Sequence, residues 1–486
     1  MKTLQSIFLF FLISVSSAWA QNGLPANFDE TVLSNMEKWH APGLGLAIVK
    51  DGKTVLTKGY GVKSIKSGAP ADKNTLFQAG STTKAFAAMS IAMLIDQGKV
   101  TWDDPIIKHI PEFKMKDKYV QNNLTIRDAL SHVSGVSPLS NINMFLGLNI
   151  DETWALMAET GQQATLRQKW DYNNTTFALA GRIVERLSGM RFHDFVRTNI
   201  LDPLGMDHTR LLDVNVENDP DRADAHQYYK GKEYQIPYPY IEYTQSAGMI
   251  NSTPEDMAKW MKFLLAKGKW NGKQLVSSEL IEEMMKPQAL LDPEGMYPAA
   301  TTYDQHYYAY GLAWFVHDFR GHKMVMHTGS IYGMSAIIGL FPDDNIGVYI
   351  FINGDHIEYR HALMYQVLDN LLGNEDTDWS DKIYPLYNSD KNSEKPEIKL
   401  YPDITEDALI GDYVLEGSYP LYIKEYGKTL TAHVGRLMFE LVRENDRYRV
   451  ISPETREIPW DNYLEMETVE GVVTSVTLNG LSYLKK

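Results

Sequence analysis

The chain has 486 residues, no cysteine, 44% hydrophobic residues and a formal charge of −15. Without cysteine it forms neither disulfides nor thiolate-held metal sites, and its acidic balance argues against nucleic acid or anionic lipid as a partner. The length predicts more than one domain, with ample apolar material for a core.

The first element reads as a transport signal, with a buried N-terminal helix as the alternative. Lys2 precedes the apolar run Ile7 to Val15, and the small-residue exit Ala18-Trp19-Ala20 stands before Gln21. That is the three-part form of a cleavable secretory segment, so we expect cleavage after Ala20 and a secreted or periplasmic protein. Losing Lys2 makes the remainder one unit more acidic. No later stretch approaches the roughly 18 uninterrupted apolar residues of a membrane span.

Gly43 to Gly61 reads as two strands joined at Asp51-Gly52, a hairpin signal because both turn residues tolerate positive φ. From Thr82 to Gly98 the positions Phe86, Met89, Ile91, Leu94 and Ile95 recur at helical spacing, predicting a helix that starts at or just after Ser81. Helices follow at Ile126 to His132, Thr175 to Leu187, Pro254 to Ala266 and Ser277 to Met285. Strands return at Met324 to Gly329, Ser335 to Phe341 and Ile346 to Asn353, and a helix from about Arg360 to Leu372 closes this part. Strands at both ends with helices between them predict an α+β domain: an antiparallel sheet flanked by terminal helices, with an inserted helical subdomain. Residues 373–399, rich in Asp, Glu, Asn, Lys and Ser, read as a linker. Short alternating runs from 400 to 486 predict a small all-β domain. The expected division is thus 1–20, 21–372, 373–399 and 400–486.

Two Ser-x-x-Lys patterns occur. Ser482 and Lys485 lie in a β run, where residues three apart point to opposite faces. Ser81 and Lys84 lie at a helix start, where i and i+3 share a face and the helix N-terminus offers N–H groups to a developing oxyanion. A serine nucleophile needs a base that is neutral near pH 7, so this pair requires Lys84 to be buried. An N-capping serine beside a solvated lysine is the alternative. Other candidates carry less. His356 and His361 lack H-E-x-x-H spacing and read as a helix start, there is no G-x-S-x-G elbow, and Tyr234 to Tyr240 reads as a packed Pro/Tyr loop or an aromatic rim.

Further along, Tyr172-Asn173-Asn174 stands just ahead of a helix, and His327-Thr328-Gly329 stands on a strand. In this order the three motifs resemble those of the serine β-lactamase and penicillin-binding-protein superfamily, in particular the class C β-lactamase-like branch with its DD-carboxypeptidases, D-amino-acid peptidases and esterases. The likeness runs over roughly residues 25 to 370, including Leu124 to Val136 and Ser246 to Met257, and the tail resembles the small β domain appended to such hydrolases. It implies a β-lactamase/transpeptidase-like fold and a Ser81 acyl-enzyme. Lys84 and Tyr172 would share the proton work, Tyr172 also protonating the leaving group, with the choice of base left open. Asn174 would donate to a substrate amide carbonyl, His327, Thr328 and Gly329 would line the substrate strand, and the N–H groups of Ser81 and Ser330 would hold the oxyanion.

The departure is His327, where β-lactamases carry lysine. An ordinary histidine titrates near pH 6.5, so carboxylate binding there should be weak and pH dependent. The expectation is a serine hydrolase acting on a D-amino-acid peptide or β-lactam-related substrate, with an esterase or transesterase, or a silent binding protein using the same cleft, as alternatives. The implied partner is a small molecule or peptide, no cofactor or metal is required, and the sequence leaves the oligomeric state open.

Overall fold

The computed structural model describes residues 23–137, 139, 146–211, 216–238, 245–292, 297–375, 377–388 and 399–486. The expected signal segment 1–20 lies outside the described residues.

The opening hairpin forms as its sequence dictates. Strands Gly43–Lys50 and Lys53–Gly61 are joined by Asp51 at φ 51° and Gly52 at φ 72°, the doubly positive pair that a two-residue hairpin turn demands. Replacing Gly52 with alanine adds a Cβ that meets nothing within 4 Å, so only the backbone conformation resists it. The variant should lose about 1 kcal/mol in urea unfolding, the usual cost of a left-handed position without glycine. No loss would show that another part of the hairpin sets the register.

This hairpin belongs to an eight-stranded antiparallel sheet. Its first strand pairs with Ile346–Ile352, which is followed in the sheet by Met334–Phe341, His322–Ile331, Phe315–Phe319, Tyr308–Tyr310 and Ala289–Leu290. Both faces are covered, and the period of two shows which residues go where. Leu44, Leu46, Ile48, Val348 and Ile350 pack under helices Phe28–Lys38 and Tyr359–Leu372. Ala47, Val49, Tyr349 and Phe351 face the opposite layer, which holds helices Lys84–Asp96, Asn174–Ser188 and Pro254–Leu265. Helix Lys84–Asp96 is apolar and buried on nearly every side, so it runs through the middle of this layer, with Phe86 stacked on Trp260 at 4.1 Å.

The stretch read as a linker departs from expectation. Trp379–Asn388 is a helix in which Trp379 and Ile383, one turn apart, are buried. Trp379 Nε1 donates to Asp369 Oδ2 at 2.7 Å, and its ring lies 5.2 Å from that of Tyr365. The helix is therefore a third member of the outer layer.

The tail is a closed barrel of eight strands paired in chain order, from Gly411–Val414 to Leu481–Lys485, with Tyr413 opposite Lys485 at the seam. Closure removes the free edges a small sheet would otherwise expose. The barrel core includes Leu146, Leu148 and Leu156 from the helical region, and Arg436 donates from its backbone and its guanidinium to the Leu146 and Gly147 carbonyls at 2.9 and 2.6 Å. A second contact joins Trp460 and Asp461 to the tip of hairpin Ala225–Ile236, where Lys230 pairs with Asp461 at 2.8 Å. No helix among the described residues is long and apolar enough to cross a membrane.

Candidate active site

The Ser81 turn is tighter than the expected α-helix. Gly80–Thr83 is a single 3₁₀ turn that runs on into helix Lys84–Asp96. With three residues per turn, positions i and i+3 are eclipsed, so Ser81 and Lys84 point the same way. Lys84 Nζ lies 3.1 Å from Ser81 Oγ, 2.5 Å from Asn174 Oδ1 and 2.9 Å from the Ala247 carbonyl oxygen. It sits over the rings of Tyr172 and Phe177, at 4.8 and 5.2 Å from their centroids. The side chain is fully buried, and that burial drives the ammonium pKa well below its ordinary value. A neutral amine has one lone pair and two N–H groups, which matches one hydroxyl donor and two oxygen acceptors.

Tyr172 comes from the loop ahead of helix Asn174–Ser188, where the Asn173 side chain caps the helix by accepting from the Thr176 N–H at 3.2 Å. The Tyr172 hydroxyl is hydrogen-bonded to the Ser81 side chain. Burial raises its pKa above the ordinary tyrosine range despite that bond, so it remains a protonated phenol. His132, to which the sequence reading gave no role, lies with its ring 4.4 Å from that of Tyr172 and accepts the Asn173 N–H on Nδ1 at 3.1 Å. The only sequence signal for it was its place in Ser131-His132-Val133-Ser134-Gly135, within the stretch already noted as family-like.

Strand His322–Ile331 forms the facing wall. Its registered pairing with Phe315–Phe319 ends at Phe315 opposite Met326, while pairing with Met334–Phe341 continues to Ile331 opposite Met334. Alternation then divides the motif. Thr328 bonds the Tyr297 hydroxyl and Ser330 Oγ accepts from Arg360 Nη1 at 2.9 Å, so both side chains turn toward the outer layer, away from Tyr172. Arg360 also donates to the Gly329 carbonyl at 2.6 Å and is paired with Glu358 at 2.7 Å. Burial works against the Glu358 carboxylate, yet Arg360 and His361 bring its pKa down to about 2.

Gly329 and Gly80 let the two walls touch. A Cβ on Gly329 would lie 2.0 Å from the Ala79 carbonyl oxygen and 3.0 Å from the Ser81 nitrogen, and one on Gly80 would lie 2.7 Å from the Ser330 nitrogen. The amides of Ser81 and Ser330 are therefore neighbours.

His327 differs most from its expected behaviour. It is 1% exposed, its Nδ1 lies 2.6 Å from the Thr328 carbonyl oxygen, and its Nε2 lies 2.9 Å from the Tyr310 hydroxyl. Burial above all, with the Arg360 charge adding to it, lowers its pKa to about 3. The expected pH-dependent positive charge near 6.5 is absent, because a sequence reading assigns the solvated value and the fold removes the solvent.

The second Ser-x-x-Lys pair is split: Ser482 bonds Thr477 at 2.6 Å and Lys485 donates to the Ala408 carbonyl at 2.6 Å. His361 bonds Glu358 at 2.6 Å and His356 pairs with Asp355 at 3.1 Å around the start of helix Tyr359–Leu372. Tyr238 bonds Asn251 and lies against the Arg222 guanidinium at 4.7 Å, as a packed loop residue does, and Pro239 and Tyr240 lie outside the described residues.

Comparison with known proteins gives the family and the fold. The Beta-lactamase family model matches residues 28–371. The chain is 26% identical over 339 residues to "Protein flp" of Staphylococcus aureus (strain NCTC 8325 / PS 47), covering 68% of this chain and 64% of that protein. It is 28% identical over 368 residues to "Unguisins hydrolase ungD'" of Aspergillus campestris, covering 72% of this chain and 66% of the relative. The match thus spans a little under two thirds of the flp protein. Among solved structures, the octameric penicillin-binding protein homologue from Pyrococcus abyssi superposes with a TM-score of 0.65 at 23% identity, over 94% of this chain and 99% of that one, which speaks to the fold.

Proposed function

The chain belongs to the β-lactamase family, and from that premise we propose that it is a serine hydrolase cleaving an amide or ester through a Ser81 acyl-enzyme. The observation that carries this reading is the meeting of Ser81, a buried Lys84 and Tyr172 at one point. Ser81 Oγ attacks the substrate carbonyl and its proton passes to Lys84. The opposite pKa shifts favour this choice of base, since Lys84 is held toward its neutral form and Tyr172 toward its protonated one. Tyr172 then relays a proton to the leaving amine or alcohol, and water releases the acyl group as a carboxylic acid. The amides of Ser81 and Ser330 hold the oxyanion, a contribution of about 3 to 4 kcal/mol per donor in sites of this kind. Asn174, whose Oδ1 accepts from Lys84, is assigned to the substrate carbonyl through its amide NH₂. The substrate proposed first is a D-amino-acid peptide. Ester hydrolysis is a second reading, favoured by the uncharged His327. Export after cleavage at Ala20 is part of the proposal, and finding Met1 on exported protein would reject it.

The test treats the wild type and Ser81→Ala with a fluorescent penicillin, a short-chain nitrophenyl ester and a D-Ala-D-Ala peptide. A covalent mass shift and turnover with at least one of the three are expected, in the wild type alone. Equal turnover in both proteins would sink the mechanism, and no reaction with any of the three would favour the silent binding protein.

A further inference from the structure

Two hydrogen bonds define the state of His327. Its Nδ1 faces the Thr328 carbonyl oxygen at 2.6 Å, which can only accept, so Nδ1 carries the proton. Burial keeps the ring uncharged, so Nε2 is a lone pair and the Tyr310 hydroxyl 2.9 Å away donates to it. Both side chains are buried, and the Phe315 ring lies 5.3 Å from the imidazole, so water has little room to replace either partner.

The other basic groups nearby are committed, and burial holds Lys84 toward its neutral form. Lys84 contacts Ser81, Asn174 and the Ala247 carbonyl, and Arg360 donates to Gly329, Ser330 and Ala336 while paired with Glu358. His132, whose ring lies 4.9 Å from Tyr310, is held toward its neutral form by burial. If Tyr172 hands a proton to the leaving group, that group sits beside Tyr172, whose ring is 6.2 Å from the His327 ring.

We propose that Tyr310 is a specificity-determining residue: by fixing His327 in its uncharged Nδ1–H form it leaves the leaving-group end of the cleft without a cation among the described residues. The preferred substrates are then esters, or internal or capped peptide bonds, in place of acyl donors ending in a free carboxylate beside the scissile bond. The proposal rests on Ser81 being the acylated residue. A carboxylate brought to this end loses water without gaining a countercharge, whereas a neutral group loses little.

The experiment has two independent arms. In protein labelled with ¹⁵N-histidine, long-range ¹⁵N–¹H spectra should show His327 as the Nδ1–H tautomer, unchanged from pH 5 to 8. Tyr310→Phe should convert that signal to one that shifts with pH or mixes tautomers. In the kinetic arm, 4-nitrophenyl butyrate is compared with its 3-carboxy derivative. The wild type should prefer the uncharged ester by at least about tenfold in kcat/KM, and Tyr310→Phe should narrow the ratio several-fold, which general loosening of the fold would not do selectively. A His327 signal that titrates in the wild type, an Nε2–H tautomer, or equal use of the two esters would overturn the proposal. If neither ester is turned over and Ser81 forms no adduct, the hydrolase reading fails and the substrate preference falls with it, while the spectra still decide the state of His327.

Discussion

Replacing Lys84 with methionine is expected to lower kcat/KM for ester or amide hydrolysis by about 10³- to 10⁴-fold, the scale of a lost general base. The protein should still fold. Methionine fills a similar apolar volume, and the cost of burying an amine disappears along with its contacts to Asn174 and the Ala247 carbonyl. The pH profile separates this from a packing defect. Lys84 acts in its deprotonated form, so wild-type activity should be present above its depressed pKa and be lost as pH falls through it. Tyr172, held protonated by its raised pKa, should give no loss on the alkaline side near neutrality. Lys84→Met should lack the acid limb altogether. Retention of more than about a tenth of the activity, or an acid limb identical in the variant, would assign the base elsewhere.

The meeting of Ser81 and Lys84 was legible in the sequence because the contact between them is local. Residue spacing, a helix start and an apolar helix behind it all lie within Ala79 to Gly98. The Asp51-Gly52 turn was legible for the same reason. Helix limits moved by one or two residues, as at Asn174–Ser188, where the Asn173 cap sets the start. Tyr310 was not legible, because its meaning depends on pairing between strands. Tyr310 lies opposite Phe315, and Phe315 opposite Met326, so the hydroxyl reaches His327 only after three strands have assembled. The charge state of His327 was hidden by the same fact, since burial decides it.

The linker reading failed through averaging. Over residues 373–399 acids and amides dominate, and the apolar pair Trp379 and Ile383 disappears in the mean although it is enough to dock one helix. In the tail the alternating runs announced a small β domain, but closure depends on Tyr413 meeting Lys485 from opposite ends of that domain, which no local pattern records.

Lowering the pH from 7 to 5 is expected to destabilise the hydrolase domain by about 4 to 6 kcal/mol, much of the stability a domain usually has. Three fully buried histidines carry this expectation. Burial lowers the pKa of His327 to about 3 and that of His317 to about 4, and takes His132 well below its ordinary value. In the unfolded chain each returns to about 6.5 and binds a proton that the native state refuses. Stability is therefore fully present above pH 6.5 and is lost as pH falls toward the folded values, at about 1.4 kcal/mol per pH unit for each histidine. Strongly held carboxylates such as Glu358 and Asp104, with pKa values of about 2, contribute only at lower pH. All three histidines lie within residues 28–371, so calorimetry should show one transition moving down with acid while that of the barrel stays in place. His317→Gln isolates one increment. His317 stands on strand Phe315–Phe319 beside Tyr303 and Tyr308, and its Nε2 has no hydrogen-bond partner among the described residues. The variant should reduce proton uptake on unfolding by about one at pH 5 and leave labelling of Ser81 intact. Urea midpoints that stay level between pH 7 and 5 would mean that these imidazoles take up protons in the folded protein as they do in the unfolded chain.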